Sequence, residues 1–157
     1  MKRIALLCLF LTGQAQANEW GFAVVLNGIS HHNGACGLSP CNEKNNGLGF
    51  ELKTTSEEWP TRIVAGAFKN SVYFNSWYAG LGKTYRWGDR FAVELGGFGG
   101  YFHYPVQTPI QSDYFVVLPL MVFDLNYVRI NVIYLPTFTK EVTAAWFFQM
   151  VAPIRSR

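Results

Sequence analysis

Gly47-Leu48-Gly49-Phe50-Glu51-Leu52 alternates between apolar side chains and small or charged ones. Leu48, Phe50 and Leu52 fall on one face of an extended chain, and Glu51 falls on the other face with the glycines. A period of two with one apolar face indicates a β-strand. In a membrane-spanning barrel the apolar face meets lipid and the other face lines the interior. This stretch therefore predicts a barrel strand whose Glu51 points inward.

The same alternation returns further along the chain. Trp77 and Leu81 share the apolar face of the segment Ser76–Trp87, and a later segment alternates apolar residues with Arg129. Three charged residues are then expected to face the interior: Glu51, Glu94 and Arg129. Buried charges must pair, so we expect an internal network that links them.

Eight segments have the composition of strands. They are Trp20–Asn27, Gly47–Thr54, Arg62–Lys69, Ser76–Trp87, Arg90–Tyr101, Tyr114–Leu125, Asn126–Leu135 and Thr143–Val151. Strands of about 9–11 residues suit a tilted crossing of a bilayer. The predicted fold class is all-β, an eight-stranded antiparallel up-and-down transmembrane β-barrel. A secreted β-sandwich is the alternative.

The composition agrees with a barrel. Half of the residues are hydrophobic and 17% are aromatic, yet no segment after the N-terminus has the roughly 20 consecutive apolar residues of a spanning helix. Hydrophobic content in short interrupted runs is typical of transmembrane β-barrels. The net charge of +3 is dispersed, and no basic run indicates nucleic acid as a partner.

The N-terminus has the features of an export signal. Met1-Lys2-Arg3 is positive, Ile4–Leu11 is apolar, and Ala15-Gln16-Ala17 matches a cleavage site. We predict a signal peptide over residues 1–17 and a single barrel domain over residues 18–157. The predicted location after cleavage is the Gram-negative outer membrane, where we expect a monomer.

Two cysteines remain in the predicted mature chain. An exported protein meets an oxidising environment, so Cys36 and Cys41 are predicted to form a disulfide. Cysteine and histidine are also zinc ligands, and His31 and His32 lie nearby in the sequence. The spacing matches no common zinc motif, so the disulfide is favoured. No metal or organic cofactor is predicted.

The connections between strands alternate in length. Outer-membrane barrels keep short turns on the periplasmic side and longer loops outside. With both termini periplasmic, the loops after the first, third, fifth and seventh strands face outward. That topology places His31, His32, Ser71 and His103 on one rim, together with the loop Pro136–Val142.

Several short motifs occur in a common order along the chain. They are Gly49-Phe50, Ala67-Phe68-Lys69-Asn70-Ser71, Ala79-Gly80-Leu81-Gly82, Leu118-Pro119-Leu120 and Tyr134-Leu135-Pro136. In this order and spacing the chain resembles the lipid A palmitoyltransferases of the Gram-negative outer membrane. The resemblance implies an eight-stranded barrel that moves an acyl chain from a phospholipid to lipid A. Phospholipid and lipid A are thus the implied partners.

The resemblance also implies roles for individual residues. Ser71 falls on the family's essential serine, and His31 or His32 falls on its histidine. Asn70 stands where the family has an aspartate. Gly82 falls on the glycine at the floor of the acyl pocket.

Inward glycines are apt for a lipid-binding barrel. A small barrel normally fills its interior with side chains, and Gly80 and Gly82 remove two of them. We expect them to leave room for a hydrocarbon chain. The alternative is that they relieve crowding or allow bends in the strand.

Acyl transfer requires a base for the attacking hydroxyl and donors for the oxyanion. A histidine titrates near neutral pH and suits the first task. Ser71 is a candidate nucleophile, and it could equally position the acceptor hydroxyl or donate to the oxyanion. Asn70 is a candidate oxyanion donor. The hypothesis is an acyltransferase or acyl-ester hydrolase that acts on phospholipid and lipid A. The alternatives are a catalytically silent barrel that binds lipid or a surface partner, and a small channel.

Overall fold

The chain forms a closed barrel of eight antiparallel strands, each paired with its sequence neighbours, and the last strand closes on the first. The computed structural model describes residues 20–36, 39–54, 59–89, 91–106, 113–137 and 143–154. The strands are β1 Trp20–His32, β2 Lys44–Thr54, β3 Thr61–Lys69, β4 Asn75–Trp87, β5 Ala92–His103, β6 Asp113–Asp124, β7 Arg129–Leu135 and β8 Ala145–Ile154. The predicted fold class is confirmed.

The strands alternate as the sequence pattern predicts. Leu48, Phe50 and Leu52 of β2 are exposed on the outer face, and so are Trp77 and Leu81 of β4. The exterior carries many further large apolar side chains: Phe22, Leu26, Ile29, Ile63, Leu95, Phe115, Val117, Phe123 and Met150. An outward apolar band around a closed barrel is the surface that such barrels present to lipid.

The predicted signal peptide, residues 1–17, lies outside the described residues. In the part of the chain that is described, no helix has the length and apolar character needed to cross a membrane.

The interior near one end of the barrel is filled by a charge cluster. Its members are Glu51, Lys53, Arg62, Arg86, Glu94, Asp124 and Arg129. Glu94 accepts from Arg62 and lies 2.5 Å from Lys53 Nζ. Glu51 lies 2.7 Å from Arg129 Nη1 and 3.4 Å from Arg62 Nη1. The internal network expected for Glu51, Glu94 and Arg129 is therefore present.

An aromatic layer lies above the charge cluster. Its rings belong to Phe68, Tyr78, Phe98, Phe102 and Phe147, with neighbouring centroids 5.3–6.4 Å apart. The Tyr78 hydroxyl donates to Asn27 Oδ1 at 3.1 Å and accepts from Gln149 Nε2 at 2.9 Å, so this buried polar group is satisfied. The space left among these side chains is about 20 Å³, room for one water molecule.

The longer connections lie together at the end opposite the charge cluster, which we call the upper rim. β1, β3, β5 and β7 end there, and β2, β4, β6 and β8 begin there. His32, Ser71 and His103 all lie at this rim, as the topology predicted. The last part of the predicted loop Pro136–Val142, residues 138–142, lies outside the described residues.

A β-bulge at Gly28 changes the face that β1 presents. Asn27 points inward and Ile29 points outward, although two residues of regular strand would return to the same face. Asn27 and Ile29 pair with adjacent residues of β8, so Gly28 is the extra residue of a bulge. Beyond it His32 faces the interior and His31 faces outward.

Candidate functional site

His32 and Ser71 meet inside the upper rim. His32 is the last residue of β1, and Ser71 lies in the turn that follows β3. The distance from His32 Nε2 to Ser71 Oγ is 2.6 Å, a normal length for a hydrogen bond. The two residues are 8% and 5% exposed. A hydroxyl bonded to an imidazole nitrogen is the arrangement that activates a serine as a nucleophile.

Asn70 holds the turn that carries Ser71. Its Oδ1 accepts from the backbone N–H of Val72 at 3.0 Å and of Phe74 at 2.9 Å. Its Nδ2 donates to the carbonyl oxygen of Pro105 at 2.8 Å, and the residue is fully buried. Both ends of the amide are thus engaged with backbone groups. These bonds position the turn that carries Ser71, and they use one of the two hydrogens on Asn70 Nδ2.

Tyr104 is a site residue that the sequence analysis missed. Its side chain is only 5% exposed. Its hydroxyl accepts from the Ser71 backbone N–H at 3.1 Å, and burial raises the pKa of that hydroxyl, so it stays protonated. The signal was present in the alternation: Tyr104 follows inward Phe98 and Phe102 at even spacing.

The second nitrogen of the His32 ring has a weak partner. Ser30 Oγ lies 3.5 Å from Nδ1, at the limit of hydrogen bonding. Within the described ranges, no carboxylate forms an ion pair with His32. The site is therefore a serine–histidine pair without the acidic third member of a triad.

The other two histidines lie outside the pair. His31 is on the outer face with 72% of its side chain exposed, and its Nδ1 lies 3.6 Å from Glu43 Oε1. His103 stacks on Trp77 and lies 2.8 Å from Asp113 Oδ1. Of the histidines at this rim, the structure brings only His32 to Ser71.

The predicted disulfide between Cys36 and Cys41 is formed. It lies beside the serine–histidine pair, because a ring nitrogen of His32 and both sulfur atoms lie within 4.8 Å of one another. Cys36 is buried and Cys41 is partly exposed. In the described part of the chain, His32, Cys36 and Cys41 also form a group whose ligand atoms lie close enough together to hold a metal ion.

Gly80 and Gly82 face the interior as expected, but the space beside them is occupied. A methyl group on Gly80 would lie 2.7 Å from Phe98 Cζ, and one on Gly82 would lie 2.8 Å from Arg62 Cγ. The room that the glycines leave is taken by a phenyl ring and by the stem of an arginine. The expected acyl-sized space beside them is therefore filled in this conformation.

Among the described residues, β6 and β7 of the closed barrel are paired over only part of the length of β6, which leaves an opening in the hydrogen-bonded wall. Their pairing runs from Asp124↔Arg129 to Leu120↔Ile133 and then stops, although β6 continues upward to Asp113. Pro119, which lacks an N–H, sits where the pairing ends. An apolar groove of about 450 Å³ lies on the outer wall at this opening, lined by Leu95, Gly96, Pro119, Leu120, Met121, Val132, Tyr134 and Trp146.

The chain is similar in structure to the outer membrane protein Ail of Yersinia pestis, determined in a phospholipid bilayer nanodisc. The sequence identity is 10%, the TM-score is 0.48, and the alignment covers 87% of this chain and 100% of the Ail chain. No protein-family model and no curated protein matches the sequence.

Proposed function

We propose that this protein is an outer-membrane enzyme that cleaves or transfers an acyl ester of a membrane lipid. Ser71 is the nucleophile and His32 is the base. The observation that carries the proposal is the 2.6 Å contact between His32 Nε2 and Ser71 Oγ. The apolar exterior supports a membrane location, and the export signal predicted over residues 1–17 supports the outer membrane.

The chemistry follows from this contact. Ser71 Oγ attacks the ester carbonyl while His32 Nε2 takes the hydroxyl proton. The lipid alcohol then leaves with that proton, and an acyl group remains on Ser71. Water releases a fatty acid, or a second lipid's hydroxyl accepts the acyl chain. The protonated Tyr104 hydroxyl is beside Ser71 and is the nearest candidate donor to the oxyanion.

The opening between β6 and β7 supports a lipid as the substrate. The groove at this opening faces the bilayer and is lined by apolar side chains. Its upper end includes Trp146, whose register partner on β1 is His31, adjacent to His32. A lipid chain seated there has its polar end near the rim that carries the pair. Phospholipid as acyl donor and lipid A as acceptor are the substrates that the motif resemblance favours.

Mass spectrometry of outer-membrane lipids tests the proposal. Cells that make the wild-type protein are expected to gain an acyl chain on lipid A with matching lysophospholipid, or lysophospholipid with free fatty acid. Ser71→Ala and His32→Ala are expected to abolish the product. His31→Ala is the matched control, because the neighbouring imidazole points away from Ser71.

Two results would count against the enzyme. One is an unchanged lipid profile when folded wild-type protein is present in the membrane. The other is full product from Ser71→Ala. Folding of each variant is checked by the slower migration of the unfolded barrel on gels after heating.

A catalytically silent lipid-binding barrel is the second candidate. It is favoured by the absence, in the described residues, of an ion pair between the His32 ring and a carboxylate and by the filled interior beside Gly80 and Gly82. A phosphonate ester that labels active serines separates the two functions. Labelling of wild type but not of His32→Ala supports the enzyme, and lipid retention without labelling supports the silent barrel.

A further inference from the structure

The disulfide beside His32 has no task in the proposed acyl chemistry. A sulfur atom from each of Cys36 and Cys41 and a ring nitrogen of His32 lie within 4.8 Å of one another. The disulfide closes a short loop whose ends also pair, since the backbone of Cys36 exchanges hydrogen bonds with that of Ser39 at 3.2 and 3.3 Å. The backbone of Cys36 is therefore held by these hydrogen bonds as well as by the disulfide.

The disulfide can be reached from outside the barrel. A hollow of about 620 Å³ lies on the outer side of the loop, with Cys41, Asn42 and Tyr73 in its lining. Cys36 is only 4% exposed and lies on the inner side. A small thiol or a metal ion therefore reaches Cys41 without opening the barrel wall.

We propose that this disulfide conceals a metal site. Reduced Cys36 and Cys41 supply two thiolates, and His32 supplies an imidazole nitrogen, to a zinc-type divalent cation. Two sulfurs and one nitrogen with an open fourth position form a known class of zinc site. Zinc–sulfur bonds of about 2.3 Å require the two sulfurs to separate once their bond is reduced.

The redox step balances with an external dithiol as the reductant. One of its thiolates attacks Cys41 Sγ and displaces Cys36 as a thiolate. The second thiolate then attacks the mixed disulfide, so the reductant becomes a disulfide and the protein gains two thiols. Zinc binding releases the two thiol protons.

Metal binding and the acyl chemistry compete for His32. A histidine nitrogen that binds zinc cannot accept the proton of Ser71, so reduction with zinc present switches the enzyme off. This consequence rests on the proposed function. The metal site itself does not, because it is measured by binding alone.

The test uses the complete barrel in detergent micelles, with Zn²⁺ alone as the probe. The protein is treated with a dithiol, freed of reductant without oxygen, and titrated against a chromogenic zinc chelator. We expect one zinc ion per reduced chain and none at this site in the oxidised chain. Cobalt in place of zinc should give the intense absorption of cobalt–thiolate bonds.

Variants identify the ligands. Loss of even an indirect partner lowers metal affinity by about 10–100-fold, so His32→Ala and Cys36→Ser should lower it by at least about 100-fold. His31→Ala is the matched control and should bind as the wild type does, and Ser71→Ala should also keep the metal.

Equal zinc binding by the oxidised and reduced chains overturns the proposal. So does wild-type affinity in His32→Ala. If Cys36→Ser does not fold, the reduced wild-type protein is alkylated at its thiols and used in place of the variant. Undiminished zinc binding after alkylation would also overturn the proposal. Failure of the lipid assay leaves these binding results unchanged, so the two proposals fail separately.

Discussion

At the scale of single residues, Asn70 shows why a change of one atom type matters. An aspartate at this position accepts the N–H groups of Val72 and Phe74 as the amide does. It cannot donate to the Pro105 carbonyl oxygen, which lies 2.8 Å from Asn70 Nδ2. The structure therefore specifies the amide at a place where the motif resemblance led to a comparison with a carboxylate.

Asn70→Asp is expected to destabilise the barrel. It leaves a buried carboxylate facing a carbonyl oxygen, and an unsatisfied buried polar group costs about 1–3 kcal/mol. Urea unfolding in lipid vesicles measures the change. Asn46→Asp, at an exposed position of β2, is the control and should be close to neutral. Equal stability of the two variants would contradict the role given to Asn70.

Glu94 is the acceptor on which the charge cluster depends. It is fully buried and contacts Arg62, Lys53 and Arg86. Glu94→Gln removes the anion that Lys53 contacts and leaves Arg62 with Glu51 and Arg86 with Asp124. Breaking a buried pair costs about 3–5 kcal/mol. Asp124→Asn removes a partly exposed partner of Arg86 alone and should cost about 1 kcal/mol or less. Urea unfolding in lipid vesicles compares the free energies of unfolding of the two variants. A smaller loss of stability for Glu94→Gln than for Asp124→Asn would refute this ranking.

Gly80 is required for close packing inside the barrel. A methyl group there would lie 2.6 Å from Gly100 Cα and 2.7 Å from Phe98 Cζ, so Gly80→Ala should destabilise by about 1–3 kcal/mol. Gly99→Ala places its methyl group 3.8 Å from Val117 Cγ2, an ordinary contact, and should be tolerated. Unfolding midpoints compare the two. A tolerated Gly80→Ala would mean that the interior has more room than the structure indicates.

At the scale of an element, the bulge in β1 decides which histidine enters the barrel. Regular alternation from inward Asn27 would carry His31 inward and His32 outward. The extra residue Gly28 reverses this order. The sequence did not indicate which of the two histidines faces the interior. A bulge depends on the pairing with neighbouring strands, and β8 lies far away in the chain.

Chemical modification checks the reversal. Diethyl pyrocarbonate reacts with accessible imidazoles, so His31, with 72% of its side chain exposed, should be modified several times faster than His32. Peptide mass spectrometry of the labelled barrel gives both rates in one sample. Equal rates, or faster modification of His32, would show that the bulge does not set the faces as described.

Strand bounds show where sequence patterns succeed and fail. β3 and β4 match their predicted ranges to within one residue, because their alternation is unbroken between turns. β1 was predicted to end at Asn27, yet it continues to His32. Polar residues that face a polar site inside the rim look like loop residues when their partners are not known. The pair itself was therefore assigned to a loop, although one member is on a strand.

At the scale of the whole molecule, side chains of the described strands fill the interior of the barrel. The charge cluster fills the lower part and the aromatic layer fills the upper part, and about 20 Å³ remains among them. The sequence indicated which faces point inward. It did not indicate that Phe98 and Arg62 fill the space beside the glycines, because that packing joins side chains from several strands.

A filled interior predicts that the protein does not conduct ions. Purified barrel inserted into a planar bilayer should give no current steps above those of lipid alone, because the charge cluster and the aromatic layer fill the part of the interior that the structure describes. Protein-free bilayers provide the baseline, and insertion is verified by recovery of folded protein from the membrane. Reproducible steps of one size would show a pore and would revive the channel alternative.

The ladder between β6 and β7 has the fewest paired residues in the barrel wall. It is not the place where the first and last strands meet. β1 and β8 are joined from Phe22↔Ile154 to His32↔Ala145, whereas the β6 and β7 ladder stops at Leu120↔Ile133. The seam where the two ends of the chain meet and the short ladder between β6 and β7 are thus separate places in the barrel wall.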